Sequence, residues 1–232
     1  MSNDSKSEFE KLISACYEIA DYFQDGVVFI GGIAVYLHAV NNQSPELSEF
    51  THDADLYISL ADMSDLRDIE EVTPNRRLSK HQFIKHGFEF DVYTEKFSSL
   101  IVPYDEILAH SVVYDRIKVC GLPHLIALKL EAYKDRYASA KGSKDAKDII
   151  RLLLVAHQQI DTFDPTLIAP YIGDEHIDLM DRVIKGAGVA AIACGNAQKA
   201  KNYRQSIAKV ANVIRAEIDV STSDRKPHPK CK

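Results

Sequence analysis

The sequence predicts an α+β protein, with a mixed sheet flanked by helices in the N-terminal part and a helical bundle after it. Two observations carry that expectation. Segments with period-two alternation or short β-branched runs all fall before residue 122, whereas apolar residues beyond it recur at helical spacing. The chain's 232 residues, 46% of them hydrophobic, are enough for one large domain or two small ones, each with a real core. The expected organisation is an α+β domain over 1–122, a helical domain over 123–218, and a charged tail over 219–232. Pro227 and Pro229 stand among that tail's charges, and no ordered structure is expected there.

Each element has a local reason. Phe9, Leu12, Ile13, Cys16, Ile19, Ala20 and Phe23 recur at helical spacing and predict a first helix. Asp25 and Gly26 punctuate it, Val27 to Ile30 reads as a short buried strand, and Gly31-Gly32 leads into a helix over 33–40. A polar loop containing Pro45 precedes a strand over 54–60, and Asp62 caps a short helix over 62–71. Residues 76–85 and 88–94 read as two strands joined at His86-Gly87, with Phe88, Phe90 and Val92 alternating against Glu89, Asp91 and Tyr93. A strand over 112–120 ends at Gly121, and Pro123 suits the first turn of a helix to about 137. A Gly/Ser/Lys link over 140–144 leads to a strongly apolar helix over 145–157, with further helices near 164–171, 175–185 and 189–218.

Composition narrows the function classes. The longest apolar runs are far shorter than the ~20 residues of a membrane span, and the N-terminus has neither a signal core nor a transit pattern. Cys16, Cys120, Cys194 and Cys231 are widely spaced, so reduced thiols in a cytoplasmic protein are expected. The nine histidines offer no zinc-binding array, and His81 and His86, five apart, carry no metal motif. The formal net charge of −6 is uneven: residues 1–128 hold 10 basic against 21 acidic residues, while 199–232 hold 9 against 3. That gradient suits either ordinary surface variation or metal-bound phosphates with a nucleotide or nucleic acid. Gly186-Ala-Gly-Val-Ala-Ala mimics a dinucleotide fingerprint, but helical spacing precedes it, so a helix–helix turn is expected.

Three features of the N-terminal part suit one chemistry. A buried strand runs into Gly31-Gly32 and a helix, an arrangement that lets the backbone approach a phosphate closely and presents free N–H groups. Asp53 and Asp55 are two apart on a strand, so both carboxylates project from one face, which repels unless a cation intervenes. Asp91 sits on a later strand and, if that strand is adjacent, supplies the third carboxylate of a two-metal site. Each has a plain structural alternative: a tight turn, a solvated strand end and a polar strand face.

Together, Phe29-Ile-Gly-Gly-Ile-Ala-Val-Tyr-Leu-His, Thr51-His-Asp-Ala-Asp-Leu and Phe90-Asp-Val-Tyr resemble the nucleotidyltransferase superfamily of polymerase-beta type. Gly121-Leu-Pro-His-Leu-Ile-Ala-Leu-Lys-Leu-Glu-Ala-Tyr-Lys-Asp-Arg and Lys144-Asp-Ala-Lys-Asp-Ile-Ile-Arg-Leu-Leu are similar to its AbiEii-like branch of abortive-infection and toxin–antitoxin enzymes. The resemblance implies that Gly31 and Gly32 hold a nucleoside triphosphate and that Asp53 and Asp55 bind magnesium, with two ions expected. It makes Asp91 a third metal ligand or the general base for the acceptor hydroxyl. It further implies Lys129 and Lys144 near phosphate or acceptor, with Asp145 and Asp148 as additional carboxylates. The bland reading of those downstream residues is helix-dipole pairing for Lys144, Asp145 and Asp148, and a snorkelling Lys129. Ile33 departs from the Ser, Thr or Asn of many relatives, and Glu49 from their Arg. The implied activity is transfer of a nucleoside monophosphate to RNA, a protein or a small molecule, in a toxin restrained by an antitoxin. A small-molecule, antibiotic-type transferase and a non-catalytic binding protein of the same fold are the alternatives.

Overall fold

The computed structural model describes residues 3–224, and contacts within the chain divide it at Leu128/Lys129 into two units. The first unit contains helix α1 (Asn3–Tyr22), strand β1 (Val27–Ile30), helix α2 (Gly31–Asn41), strand β2 (Asp53–Ile58) and helix α3 (Leu60–Ile69). Strands β3 (Thr73–Asn75), β4 (Lys80–Lys85) and β5 (Phe88–Tyr93) follow, then helix α4 (Tyr104–Ala109) and strands β6 (Val112–Tyr114) and β7 (Ile117–Val119). Helix α5 (Leu122–Arg136) spans this division.

The seven strands form one mixed sheet in the order β3-β4-β5-β2-β1-β7-β6. β1 pairs antiparallel with β2 and parallel with β7, while β2 pairs parallel with β5. β1 and β2 are central: every residue of β1 is buried, and at the start of β2 the fully buried Ala54 and Leu56 alternate with the half-buried Asp53 and Asp55. The predicted stripe of α1 is buried through Phe9, Leu12, Cys16 and Ile19, and α2 packs on β1 and β2.

Where the elements differ from expectation, side-chain chemistry accounts for it. The strand expected from residue 76 begins at Lys80, because Asn75 accepts a hydrogen bond from Leu78 N–H and closes a short 3₁₀ turn over Arg76–Leu78. Ser79, with φ of 49°, then resets the chain direction. The single strand expected over 112–120 is a hairpin, turned at Asp115 with φ of 55°. α4 and β3 were not expected; α4 starts after Pro103, which sets the extended backbone of its cap.

In the second unit, helices α6 (Ala140–Gln158), α7 (Asp174–Lys185), α8 (Gly188–Ile192) and α9 (Ala197–Asp224) follow α5. α6 packs against α7, α8 and α9, and Ile149, Leu152, Leu153, Ile207, Val210 and Ile214 are fully buried. α6 begins at Ala140 rather than 145, because Ser139 accepts from Gly142 N–H and caps the helix across the expected link. The single helix expected over 189–218 is two, broken where Cys194 and Gly195 take φ of 53° and 76°. α9 runs on to Asp224, so residues 219–224 of the expected tail are helical, while the rest of that tail lies outside the described residues. Gly186-Ala-Gly falls at the turn between α7 and α8, not after a strand. No helix among the described residues is long and apolar enough to cross a membrane.

Candidate active site

The carboxylates are brought together by strand register. Ile30, the last residue of β1, pairs with Asp55 on β2, and Asp55 pairs in turn with Asp91 on β5. Directly paired residues point to the same side of a sheet, and so do residues two apart on one strand. Asp53, Asp55 and Asp91 therefore share one face, beside the point where β1 turns into α2.

That turn is glycine for a geometric reason. Gly31 has φ of 72°, a conformation unfavourable for other residues, and a Cβ there would overlap the Asp55 carboxylate. A Cβ on Gly32 would lie 2.8 Å from Thr51 Oγ1, and Thr51 Oγ1 donates a 2.5 Å hydrogen bond to Asp53 Oδ1. Gly31 is thus packed directly against Asp55, and Gly32 against Thr51, which in turn holds Asp53. α2 begins at Gly31 without a side-chain cap, so the N–H groups of its first turn take no capping side chain. Tyr93 OH makes a long contact of 3.4 Å to Asp55 Oδ1. Asp53 and Asp55 are half-buried, whereas Asp91 is buried.

Asp91 is held from β4. Gln82, its register partner, donates Nε2 to Asp91 Oδ1 at 2.8 Å, and Lys80 Nζ donates to Asp91 Oδ2 in a buried ion pair. Among the described residues, the oxygens of Asp53, Asp55 and Asp91 do not gather within 4.8 Å of one another as a group. The face is common, but the third carboxylate is turned toward its own lysine. Sequence reasoning missed Lys80 and Gln82. Their two-residue spacing on a strand is a signal only once β4 is known to lie beside β5.

The downstream residues lie in the second unit, where Lys129, Asp145 and Asp148 belong to an ion-pair network. Lys129 Nζ donates to Asp148 Oδ2 at 2.8 Å and lies 4.0 Å from Asp145 Oδ1. Arg136 grips Asp145 through Nε and Nη2 at 2.6 and 3.0 Å, and Arg151 Nη1 donates to Asp148 Oδ1 at 3.2 Å. Asp145, Asp148 and Lys129 are all buried, and Lys144 sits on an exposed part of α6. His81 and His86 part company: Arg67 Nη2 lies 3.1 Å from His81 Nε2, while His86 pairs with Glu18 at 2.9 Å. Burial, and then Arg67, push His81's pKa below the ordinary histidine value. Cys16 and Cys120 are buried free thiols and Cys194 is an exposed one.

The fold is similar to that of solved structures. The crystal structure of JHP933 from Helicobacter pylori aligns with TM-score 0.50 at 14% identity, covering 97% of each chain. A candidate nucleotidyltransferase from H. pylori aligns with TM-score 0.48 at 13% identity, over 98% of this chain and 100% of that one. An antigenic nucleotidyltransferase-like protein from Paracoccidioides brasiliensis aligns with TM-score 0.42 at 14% identity, over 96% of this chain and 93% of that one. The likeness is one of fold. No protein-family model and no curated protein matches the chain.

Proposed function

We propose that this protein is a magnesium-dependent nucleotidyltransferase, which moves a nucleoside monophosphate from a nucleoside triphosphate to an acceptor hydroxyl and releases pyrophosphate. The single observation that carries the reading is the packing of the Gly31-Gly32 turn against Asp55 and Thr51, beside Asp53 and in register with Asp91. An uncapped helix start and a carboxylate pair are the two halves of a nucleotide-phosphate site, one for the anion and one for its cation.

The donor set suits magnesium. Asp53 and Asp55 offer hard oxygen ligands from one face and are only half-buried, leaving room for water and phosphate oxygens. When bound, magnesium neutralises phosphate charge and supports departure of the pyrophosphate. The α2 N–H groups at Gly31 and Gly32 would hold the triphosphate in line with the acceptor. Thr51 would orient Asp53, and the rigid register of β2 with β5 would set Asp91 beside Asp55. Asp91, oriented by Lys80 and Gln82, would accept the proton of the attacking hydroxyl. A carboxylate has about four lone-pair sites, so those two donors leave it capacity to do so. A second magnesium would have to share Asp91 with Lys80, so the donors favour one ion at Asp53 and Asp55.

The acceptor we propose is macromolecular, RNA or protein, with a cognate antitoxin restraining the activity, following the AbiEii-like motifs. Incubation of the protein with each α-labelled nucleoside triphosphate, magnesium and cell lysate tests this. Label should enter one macromolecular species and be lost in Asp53→Asn/Asp55→Asn. Label in a small molecule would replace the acceptor class with an antibiotic-type substrate. Absence of magnesium-dependent triphosphate binding by calorimetry would remove the enzyme reading.

A further inference from the structure

A second group of metal-ligating side chains lies in the first unit and shares no residue with the carboxylate face. Glu106 lies in the first turn of the short helix α4 and His110, four residues on, caps its C-terminus, a spacing that places two side chains on one side of a helix. His124 lies in the first turn of α5, and Gly121 lets that turn approach: a Cβ on Gly121 would overlap the His110 carbonyl oxygen. One ligand atom from each of Glu106, His110 and His124 falls within 4.8 Å of the others. The two imidazole rings meet edge to face, with centroids 5.3 Å apart and planes at 79°.

The protonation pattern also suits a ligand. His110 Nδ1 lies 3.1 Å from the Glu106 backbone carbonyl, which only accepts, and 3.7 Å from Glu106 Oε2, so with the carbonyl bond made Nδ1 carries the proton and Nε2 is the nitrogen left for a metal. A ring nitrogen fixed by a backbone carbonyl is the usual outer support of a metal-bound histidine. His124 is 1% exposed and anchored by packing, whereas the side chains of Glu106 and His110 are 48% and 38% exposed. Ligands of a tetrahedral zinc ion, at about 2.1 Å from it, stand roughly 3.4 Å apart. Ligand atoms within 4.8 Å of one another have to close by up to about 1.4 Å to reach that distance, and the two exposed side chains are the ones that would turn toward the buried one.

We propose that Glu106, His110 and His124 bind a divalent transition-metal ion, zinc by its donor set, which staples the end of α4 to the start of α5. Two nitrogens and one carboxylate suit zinc and its neighbours, whereas magnesium and calcium prefer all-oxygen sites. Three protein ligands leave a fourth position for water.

The test is calorimetric titration of metal-free full-length Asp53→Asn/Asp55→Asn protein with zinc chloride, with cobalt(II) absorption as a reporter of nitrogen ligation. That background removes the carboxylate pair as a rival site. One equivalent of zinc should bind and raise the melting temperature. His110→Ala and Glu106→Gln should each weaken binding about tenfold or more, and His110→Ala should abolish the cobalt bands. Both residues are exposed, so these variants fold without losing core. Failure to bind one equivalent, or unchanged affinity in His110→Ala, would overturn the site.

Discussion

Lys80 and Asp91 form a buried ion pair across the antiparallel strands β4 and β5, each side chain 8% exposed. Gln82 completes the cradle by donating to the other oxygen of Asp91. The third carboxylate of the candidate site is therefore part of the core's polar structure as well as of its proposed chemistry.

Those two roles separate by mutation. Lys80→Met removes one partner of a buried pair and should cost about 3 kcal/mol, read by urea denaturation. Lys80→Met/Asp91→Leu replaces both partners by apolar groups and should recover most of that loss. If Asp91 serves catalysis, the recovered double variant transfers no nucleotide. Full activity in a stable double variant would make the pair purely structural.

Gly31 and Gly32 respond differently to alanine. Gly31→Ala meets a left-handed backbone and the Asp55 carboxylate together, and should destabilise by about 1–2 kcal/mol from the backbone alone. It should also weaken magnesium-dependent triphosphate binding by displacing Asp55. Gly32→Ala meets Thr51 alone, with Oγ1 at 2.8 Å, Cβ at 2.9 Å and Cγ2 at 3.2 Å, but without positive φ, so it lacks the backbone part of the penalty and its thermal shift should be smaller. Equal effects in melting and calorimetry would contradict the packing described for the turn.

His38 sets a pH dependence. Its ring is buried, with Nε2 2.8 Å from the Cys120 carbonyl and Nδ1 3.1 Å from Tyr114 OH, so Nε2 donates and Nδ1 accepts in the neutral form. Burial holds its pKa below the ordinary value, outweighing the opposing effect of the Cys120 carbonyl. The unfolded chain therefore takes up a proton, at about pH 6.5, that the folded chain resists. Stability should be constant above that pH and fall below it, down toward the depressed folded value. His81 is shifted in the same direction and adds to the slope. His38→Gln, which keeps a donor for Cys120, should flatten the melting temperature between pH 7 and pH 5 without abolishing its fall.

Lys129 tests the second unit. Lys129→Met leaves Asp148 with Arg151 and Asp145 with Arg136, so neither charge is wholly orphaned. The expected loss is about 2 kcal/mol, below the 3–5 kcal/mol of an unpaired buried charge. If Lys129 also meets phosphate, triphosphate affinity falls in the folded variant; unchanged affinity would leave the lysine a structural ion-pair partner.

Local patterns were legible without the fold. The strand of Val27–Ile30, the glycine turn and the same-face pair Asp53 and Asp55 follow from spacing of one or two residues, which backbone geometry converts directly into direction. Caps were less legible: Asn75 and Ser139 each moved an element boundary, because one side-chain hydrogen bond outweighs average composition.

By itself, then, the sequence determined an α+β order of elements, the turn at Gly31-Gly32 and the direction of Asp53 and Asp55. The tertiary structure alone decided that Asp91 stands in register with Asp55, that Lys80 and Gln82 hold it, and that His124 meets Glu106 and His110. The physical reason is range. Periodicity within a strand or helix is set by neighbouring backbone angles, whereas strand order, register and the approach permitted by Gly121 are set by packing between segments far apart in the chain.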